Sequence, residues 1–354
     1  MKTAKHSDRK TVGIIGHFGG KKVFLDGQTI KTKILYEELR NATDWELFKV
    51  DTYYKKERPL GLLLRTLRCL FRTRDVIILL SGNGMKLYFP LLFFFSKPFH
   101  TRVYHDVIGG NLDSYVRDNP KFKAYLNSFQ ANWVETEGLK NRLTALGVTN
   151  CSVIPNFKRL DLLSEDELVY PTGKPYRLCT FSRVCKEKGI EDAVHAVASV
   201  NETLGYAAYT LDIYGQVDSG QTEWFEQLMK AAPCEVQYKG SVAYDQSVAV
   251  IKNYFALLFP TQYFTEGIPG TIIDAYAAGV PVISSKWAGF SDVIHEGITG
   301  VGYSFGALNE LVEVLIRLVD NPETMIEMKK SCLEESKKYE LETVVRDLLN
   351  HLKV

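Results

Sequence analysis

Short apolar runs rich in β-branched and aromatic residues alternate along the chain with stretches whose apolar positions recur every three or four residues. Runs of the first kind predict strands, and stretches of the second kind predict helices. The predicted strands are Thr11–Ile15, Leu47–Val50, Val76–Leu80, Thr101–Tyr104, Trp133–Val134, Ser152–Ile154, Tyr176–Thr180, Thr210–Tyr214, Val236–Tyr238, Ala256–Phe259 and Val280–Ile283. The predicted helices include Ile30–Asn41, Lys121–Phe129, Glu137–Leu146, Ile190–Val200, Gln221–Ala231 and Thr271–Ala278. Such alternation is typical of parallel sheets covered by helices on both faces, and it predicts an α/β protein.

The length of the chain, 354 residues, is that of two domains rather than one. The polar, proline-bearing stretch Asn156–Pro175 follows a turn-like segment and predicts a linker. We therefore expect one domain over residues 1–157 and a second over residues 158–339. The helical pattern of residues 340–354 predicts a last helix that crosses back onto the first domain. Because ligands of open α/β sheets bind beyond the carboxyl ends of the strands, chemistry is expected in the residues that follow each strand.

Composition and charge exclude several classes of protein. With 45% apolar and 24% charged residues, the chain is globular rather than disordered, and a net charge of +1 gives no overall indication of nucleic-acid binding. The six cysteines are scattered, without metal-ligand spacing, as expected of free thiols in a reducing compartment. The basic N-terminal segment leads directly into a predicted strand, without the apolar stretch of a secretory signal. We therefore expect a cytoplasmic protein.

A basic pair follows the predicted strand Tyr176–Thr180. Arg183 and Lys188 lie five residues apart, across the turn from this strand into the next predicted helix. A helix N-terminus favours anions, and a guanidinium fork together with an ammonium group suits a diphosphate. A solvated basic loop explains the same residues equally well, so this segment alone leaves both interpretations open.

A helix start with a carboxylate on either side follows the predicted strand Ala256–Phe259. Pro269 and Gly270 are compatible with an open helix N-terminus, whose free amides can bind phosphate or sugar oxygens. Glu266 precedes this start, and Asp274 lies one turn inside the helix. Two carboxylates would repel a phosphate, so a phosphate site alone does not explain them. They are explained if each accepts hydrogen bonds from a pair of hydroxyls, one pair on a sugar and one on a ribose.

Three motifs together give the chain a resemblance to a known family. They are Arg-x4-Lys-Gly at residues 183–189, Glu-x7-acid at residues 266–274, and Ala-Ala-Gly-x-Pro-Val at residues 277–282. The chain resembles the retaining, GT-B-fold glycosyltransferases of family 4, and more loosely those that build capsular, exopolysaccharide or O-antigen chains. Weaker matches in the first half are Gly19-Gly20, Asn83-Gly84, His105-Asp106 and Ile154-Pro155-Asn156. The resemblance implies two Rossmann-like domains with parallel sheets facing across a cleft, the first binding the acceptor and the second the donor.

The resemblance also implies roles for individual residues. Arg183 and Lys188 would neutralise the diphosphate leaving group, and Glu266 would hold hydroxyls of the donor sugar. Asp274 would hold the ribose diol, although most family members carry glutamate there. His105 would lie at the reacting carbon, with a structural hydrogen-bonding histidine as the alternative. The other expected donor contacts are Gly19, Gly20, Ile268, Pro269, Gly270 and Thr271.

The function implied by the resemblance is retaining transfer of a hexose-type sugar from a nucleotide sugar, first of all a UDP-sugar. The acceptor would be a saccharide or a polyprenyl-linked glycan in surface polysaccharide assembly. No cofactor and no metal is expected, because Arg183 and Lys188 can stabilise the leaving group in place of a divalent cation. Two alternatives remain: a GT-B-fold sugar-nucleotide epimerase, and a non-catalytic partner subunit with a degenerate site.

Residues 58–74 form a basic, leucine-rich segment with five arginines. On a helix, Arg65, Arg68 and Arg72 share one side, opposite Leu63, Leu67 and Leu70. This pattern is typical of a helix that contacts the inner leaflet of a membrane, and equally of a core-packed helix with a solvated basic face. For the apolar run Tyr88–Phe95, we expect a buried helix rather than an element inserted into lipid.

Overall fold

The fold was determined from a computed structural model that describes residues 9–22, 27–243 and 245–353. Residues 1–8, whose basic pattern contributed to the predicted location of the protein, lie outside the described residues. The chain divides into two compact units, one of residues 1–155 and 342–354 and the other of residues 156–341. The boundary predicted from the sequence lies two residues later, after residue 157.

The first unit contains a six-stranded sheet in which all neighbouring strands are parallel. Its elements are β1 (Thr11–Gly16), α1 (Gly27–Ala42), β2 (Glu46–Asp51), α2 (Pro59–Arg72), β3 (Asp75–Leu79), α3 (Gly82–Phe95), β4 (Arg102–Asp106), α4 (Leu112–Asp118), α5 (Lys121–Ser128), β5 (Ala131–Val134), α6 (Glu137–Ala145) and β6 (Cys151–Val153). The strand order is β2-β1-β3-β4-β5-β6. The direction of winding therefore reverses between β1 and β3.

The second unit contains another six-stranded parallel sheet. Its elements are β7 (Tyr176–Phe181), α7 (Ile190–Leu204), β8 (Tyr209–Tyr214), α8 (Thr222–Ala231), β9 (Val236–Gly240), α9 (Ser247–Ile251), β10 (Ala256–Phe259), α10 (Gly270–Ala277), β11 (Val282–Ser285), α11 (Phe290–Val293), β12 (Gly300–Tyr303), α12 (Leu308–Asp320) and α13 (Glu323–Ser336). The strand order is β12-β11-β10-β7-β8-β9. Here the winding reverses between β7 and β10.

The central strands of both sheets are nearly continuous apolar runs because helices cover both faces. All five residues of β3 and all four of β10 are buried. The last helix, α14 (Leu341–Lys353), belongs almost entirely to the first unit, where the His351 ring meets the Trp133 ring at 6.0 Å. No helix among the described residues is long and apolar enough to cross a membrane.

Two strands, β12 and β4, differ from what the sequence predicts. The short strand β12 follows a turn that contains Gly297 and has two glycines among its own four residues, so its sequence is not recognisable as a strand. The predicted strand Thr101–Tyr104 begins one residue later and extends through Asp106. His105 and Asp106 pair with Asn132 and Trp133 of β5, and this pairing keeps them within the sheet.

Candidate functional site

The clearest concentration of charged groups in the second unit lies where its winding reverses. Strands β7 and β10 are neighbours there, although they are far apart in the sequence. Such a point in an open parallel sheet leaves a crevice that commonly binds ligands. The two motifs singled out from sequence lie on these two loops.

The loop after β7 is fixed against the end of β10. Its 3₁₀ turn, Lys186–Lys188, ends at Gly189, which has a φ of 68°. A Cβ at Gly189 would lie 1.8 Å from the carbonyl oxygen of Pro260, so only glycine permits this approach. The amide of Gln262 donates to the carbonyl of Glu187 at 3.0 Å. Both loops are therefore held together by their backbones.

Lys188 and Glu266 form an ion pair across these loops, with Nζ donating to Oε1 of the carboxylate. The Thr261 hydroxyl donates to the same oxygen at 3.0 Å. The Lys188 ammonium also lies 5.6 Å from the centre of the Phe259 ring, within the range of a cation–π contact. Both side chains are mostly buried, at 19% and 11% exposure, yet they remain accessible. The structure thus brings together Lys188, which was predicted to bind the diphosphate, and Glu266, which was predicted to bind the donor sugar.

Arg183 lies on the same loop but faces toward β8. Its guanidinium contacts the carboxylate of Asp218 at 3.1 Å, and its side chain is 63% exposed. The neighbouring backbone is joined to the loop after β8, because the Val184 amide donates to Gln216 at 2.9 Å and the Asp218 amide donates to Val184 at 3.0 Å. Arg183 is therefore an accessible cation at the rim of this crevice.

Helix α10 begins beside this ion pair, without a side-chain cap at Pro269. The carbonyl of Ile268 is held by the side-chain amide of Asn156 at 2.9 Å. The Thr271 hydroxyl oxygen is buried and has no hydrogen-bond partner among the described residues. A helix start with free amides and a hydroxyl beside them can bind an oxygen-bearing ligand.

Asp274, predicted to hold a ribose diol, pairs with another side chain of the protein. Asp274 is 4% exposed, and Lys158 Nζ lies 2.6 and 2.5 Å from its two oxygens. Burial raises the pKa of the Asp274 carboxyl, although the Lys158 ammonium acts in the opposite direction. The spacing of the motif placed Asp274 one turn inside the helix, but gave no sign of a partner 116 residues away.

Lys158 is thus a site residue that the sequence analysis missed. It directly follows the Ile154–Phe157 turn, and its Cδ lies 3.5 Å from the position of a Cβ added to Gly270. The ammonium, 4.0 Å from the same position, adds a positive charge next to the start of α10. A lysine just after a recognised turn was visible in the sequence, but only the fold brings it to α10.

Gly19 and Gly20 lie in the first unit, on the loop after β1. Both have positive φ angles, 84° and 58°. The amides of Phe18 and Gly20 each donate to the Asp51 carboxylate at 2.9 Å. A Cβ at Gly20 would lie 2.7 Å from the Tyr53 ring, so glycine is required there for packing. Asp51, at the end of β2, was not identified from the sequence and sets the shape of this loop.

His105, predicted to lie at the reacting carbon or else to be a structural histidine, is a buried residue of β4. The residue lies inside β4 and is 0% exposed, with its ring edge-on to Phe89 at 5.0 Å. Burial lowers the pKa of His105 to about 3, so the imidazole is neutral. The strand was predicted to end at Tyr104, two residues before its end in the structure, and this error placed the histidine in a loop.

The neighbour of His105, Asp106, instead joins a buried charge cluster. The Lys31 ammonium lies 2.8 Å from Asp106 and 3.2 Å from Glu135, and all three side chains are at most 5% exposed. Burial acts to lower the pKa of Lys31, but the two carboxylates raise it above its ordinary value. The cluster joins α1 to the end of β4 and to the residue that follows β5.

No group of three or more histidine, cysteine, aspartate or glutamate side chains within the described ranges has the arrangement of a metal site. The cysteines are free thiols. Three lysine or arginine side chains lie near the two motifs of the second unit, and each pairs with a carboxylate: Lys188 with Glu266, Arg183 with Asp218 and Lys158 with Asp274.

Comparison with known proteins gives these features a family context. Residues 169–338 match the family model "Glycosyl transferases group 1". The amylovoran biosynthesis glycosyltransferase AmsK of Erwinia amylovora is 24% identical over 183 residues, which are 49% of this chain and 42% of AmsK. The uncharacterized glycosyltransferase MJ1069 of Methanocaldococcus jannaschii is 21% identical over 46% of this chain and 41% of its own. The matched part of the chain thus spans less than half the length of these curated relatives.

Solved structures match over nearly the whole chain. The lipopolysaccharide outer core galactosyltransferase WaaB, in its apo form, has a TM-score of 0.73 at 18% identity, covering 97% of this chain and 99% of its own. At identities this low, the likeness establishes the fold alone. The chain has the GT-B fold of glycosyltransferases, and most of its second unit matches the glycosyl transferases group 1 family.

Proposed function

We propose that the protein is a retaining glycosyltransferase that moves a hexose-type sugar from a nucleoside-diphosphate sugar to a glycan acceptor. The observation that carries this proposal is the Lys188–Glu266 pair, on adjacent loops at the reversal of the second sheet and beside the start of α10. The match of this same unit to glycosyl transferases group 1 supports it.

The ion pair suggests how a donor would be recognised. Lys188 and Glu266 satisfy each other in the structure. A nucleotide sugar offers a diphosphate anion to the ammonium and hydroxyl donors to the carboxylate, so both groups exchange one partner for another. Thr261 keeps its hydrogen bond to Oε1 and holds the carboxylate in position.

Positive charge is proposed to act mainly on the leaving group. As the bond to the sugar breaks, negative charge grows on the departing diphosphate, where Lys188, Arg183 and the amides of Gly270 and Thr271 can stabilise it. In this proposal no metal ion is required. Attack occurs on the face that the diphosphate leaves, and a phosphate oxygen accepts the proton of the acceptor hydroxyl.

Lys158 and Asp274 are proposed to act on the nucleoside as one unit. An ammonium group has three N–H donors, of which Asp274 accepts two, so one remains for a ribose or phosphate oxygen. This arrangement replaces direct contact of a longer carboxylate with the ribose. Gly19, Gly20, Ile268 and Pro269 are retained as proposed backbone contacts.

The base is proposed to be uracil, and the acceptor a saccharide or a polyprenyl-linked glycan of a surface polysaccharide. The Anabaena structure of HepE in complex with UDP and glucose, with a TM-score of 0.73 at 13% identity over 98% of this chain and 100% of its own, supports the choice of UDP. AmsK, named for amylovoran biosynthesis, supports the choice of product.

The test is release of nucleoside diphosphate from a panel of UDP-, GDP- and ADP-sugars, with and without glycan acceptors. The proposal expects release that depends on an acceptor, and a product whose new bond has the anomeric configuration of the donor. Release that is independent of every acceptor, or interconversion of the donor sugar, would instead identify a hydrolase or an epimerase.

A further inference from the structure

Helix α2 has three faces rather than the two that its sequence predicts. The face toward the core is formed by Leu62, Thr66, Cys69 and Leu70. The basic face carries Arg65, Arg68 and Arg72, as predicted from their spacing. The third face is apolar and lies in solvent, formed at spacings of four, three and four residues by Leu60, Leu64, Leu67 and Phe71.

The apolar face of α2 is unusually exposed for side chains of this size. Leu60 is 76% exposed, Leu64 67% and Phe71 74%, while Leu67 between them is half-buried. A regular stripe of large apolar residues in water differs from the scattered exposed leucines of ordinary surfaces, and such a stripe marks an interaction site.

Helix α3 extends this surface. Leu87 and Phe94 are 56% and 67% exposed, with the half-buried Leu91 between them, again at spacings of four and three residues. The two helices are neighbours, because the hydroxyls of Thr66 and Tyr88 lie 3.4 Å apart.

Aromatic contacts join the ends of the two helices. The Phe99 ring lies 6.0 Å from the Phe71 ring and 6.3 Å from the Phe95 ring. Phe71 and Phe95 are both exposed. We call the exposed apolar residues of α2 and α3, with the arginines of α2, the α2–α3 surface.

The charge of the α2–α3 surface has one sign. Residues 58–74 contain five arginines and no acidic residue, and α3 contains Lys86 and no acidic residue. Asp75, between the two helices, is buried and pairs with Lys10 and Arg102. None of the arginines of residues 58–74 forms an ion pair with a carboxylate in the part of the chain that the structure describes; Arg65 donates to the backbone carbonyl of Lys49 instead. The surface therefore combines apolar side chains with unneutralised positive charge.

The charge and the apolar residues of the α2–α3 surface together favour one kind of binding partner over others. A second copy paired through α2 would bring arginine against arginine, with no acidic residue on either helix to compensate. A polyanion in water, such as nucleic acid, would use the arginines but leave the leucine and phenylalanine stripe unburied. An anionic lipid surface satisfies both, since acyl chains accept the apolar side chains and headgroups pair with the arginines.

We propose that the α2–α3 surface binds the protein peripherally to anionic lipid membranes, with Leu60, Leu64, Phe71 and Phe94 in the headgroup–acyl boundary. This extends the interpretation of residues 58–74 as a basic helix, because the structure adds an apolar stripe that the arginines flank and a second helix that shares it. The proposal is independent of the proposed transferase activity.

The experiment is co-sedimentation of the full chain with vesicles of phosphatidylcholine alone or containing one-third phosphatidylglycerol. We compare Leu64→Gln/Phe71→Gln and Arg68→Glu/Arg72→Glu with a matched control, Ile298→Gln/Arg317→Glu, which removes an exposed apolar and an exposed basic side chain from the second unit. We expect the parent and the control to bind anionic vesicles, with affinity falling as salt rises. Each α2 variant should bind at least about tenfold more weakly.

Three results would overturn the proposal. They are equal binding by the α2 variants and the parent, equal binding to neutral and anionic vesicles, and absence of binding by the parent. Analytical ultracentrifugation provides a second readout, because a dimer that Phe71→Gln dissociates would assign the surface to a second copy instead. Thermal unfolding of each variant should match that of the parent, which excludes misfolding as the cause of weaker vesicle binding. Nucleotide-sugar binding should also match the parent, which keeps this test separate from that of the proposed function.

Discussion

The Nζ of Lys158 lies 2.6 and 2.5 Å from the two carboxylate oxygens of Asp274, a residue 116 positions later in the sequence. This contact ties the chain just after the turn at residues 154–157 to the first turns of α10. It neutralises a carboxylate that is 4% exposed and leaves the lysine next to the helix start. The pair thus joins two segments of the second unit and places a positive charge next to the start of α10.

Lys158→Met should lower the free energy of unfolding by about 3–5 kcal/mol, because it leaves the buried Asp274 carboxylate without its partner. The double variant Lys158→Met/Asp274→Leu should recover most of that loss, since it removes both charges. Urea denaturation measures both. If the two variants are equally destabilised, the ion pair is not what holds this segment. Nucleotide-sugar affinity should stay low in the double variant, and this separates binding from stability.

Lys188→Ala should slow sugar transfer by about 30- to 1000-fold, equivalent to about 2–4 kcal/mol of transition-state stabilisation. Arg183→Ala should have the same direction and a smaller effect, because its guanidinium is exposed and shared with Asp218. Lys186→Ala is the matched control, since Lys186 lies on the same turn with its ammonium over the Trp224 ring. Rates are measured with saturating donor. Equal rates for Lys188→Ala and Lys186→Ala would contradict the leaving-group role.

Transfer should continue in excess EDTA, because cationic side chains and helix amides are proposed to stabilise the departing diphosphate. The assay compares EDTA-treated enzyme with the same enzyme after added magnesium. Loss of activity that magnesium restores would show that the cationic groups of the crevice are not sufficient.

Lys329→Met should stabilise the protein. Lys329 is 1% exposed, its ammonium has no hydrogen-bond partner among the described residues, and burial lowers its pKa to about 8. The pKa of Lys329 is lower in the folded state than in the unfolded chain. Burying the charged ammonium therefore destabilises the fold fully below pH 8, and this destabilisation disappears as the pH rises toward 10.5. At pH 7 the variant should gain about 3 kcal/mol in urea denaturation. A gain that does not shrink between pH 8 and 10 would argue against deprotonation as the cause.

His105→Phe should reduce the decrease in the free energy of unfolding that occurs as the pH falls. Burial lowers the pKa of His105 to about 3, so below pH 6.5 the unfolded chain binds a proton that the folded chain does not. Stability contributed by this group is therefore present above pH 6.5 and lost as the pH falls, by about 2 kcal/mol at pH 5. Unfolding at pH 7.5 and 5 measures the difference between parent and variant. Strong loss of transfer in a well-folded variant would support the predicted role of His105 at the reacting carbon.

Much of the architecture could be predicted from local patterns. Strand β10 matches its predicted bounds, and the helix start at Pro269 and Gly270 was located to within one residue, because buried parallel strands and helix starts have strong local signals. The end of β4 was placed too early, because histidine and aspartate rarely continue a strand, and only pairing with β5 keeps them in one.

The candidate site was predictable in its motifs and not in its pairings. Lys188 and Glu266 were each identified, yet their contact depends on strand order, since β7 and β10 are far apart in sequence and adjacent in the sheet. The same holds for Lys158 with Asp274 and for Asp51 with Gly20. On α2, spacing identified the basic side, but which of the remaining sides faces the core depends on how the helix packs against β1 and β2.

The most direct test of the central claim is isothermal titration of the full chain with a UDP-sugar and with UDP alone, using the parent, Lys188→Ala and Glu266→Gln. If the Lys188–Glu266 pair is the donor site, Lys188→Ala weakens binding of both ligands. Glu266→Gln should weaken binding of the UDP-sugar but not of UDP, because its carboxylate is proposed to contact only the sugar. Parent-like affinities in both variants, for whichever nucleotide sugar the parent binds, would contradict the account. So would absence of binding by the parent to every UDP-, GDP- and ADP-sugar.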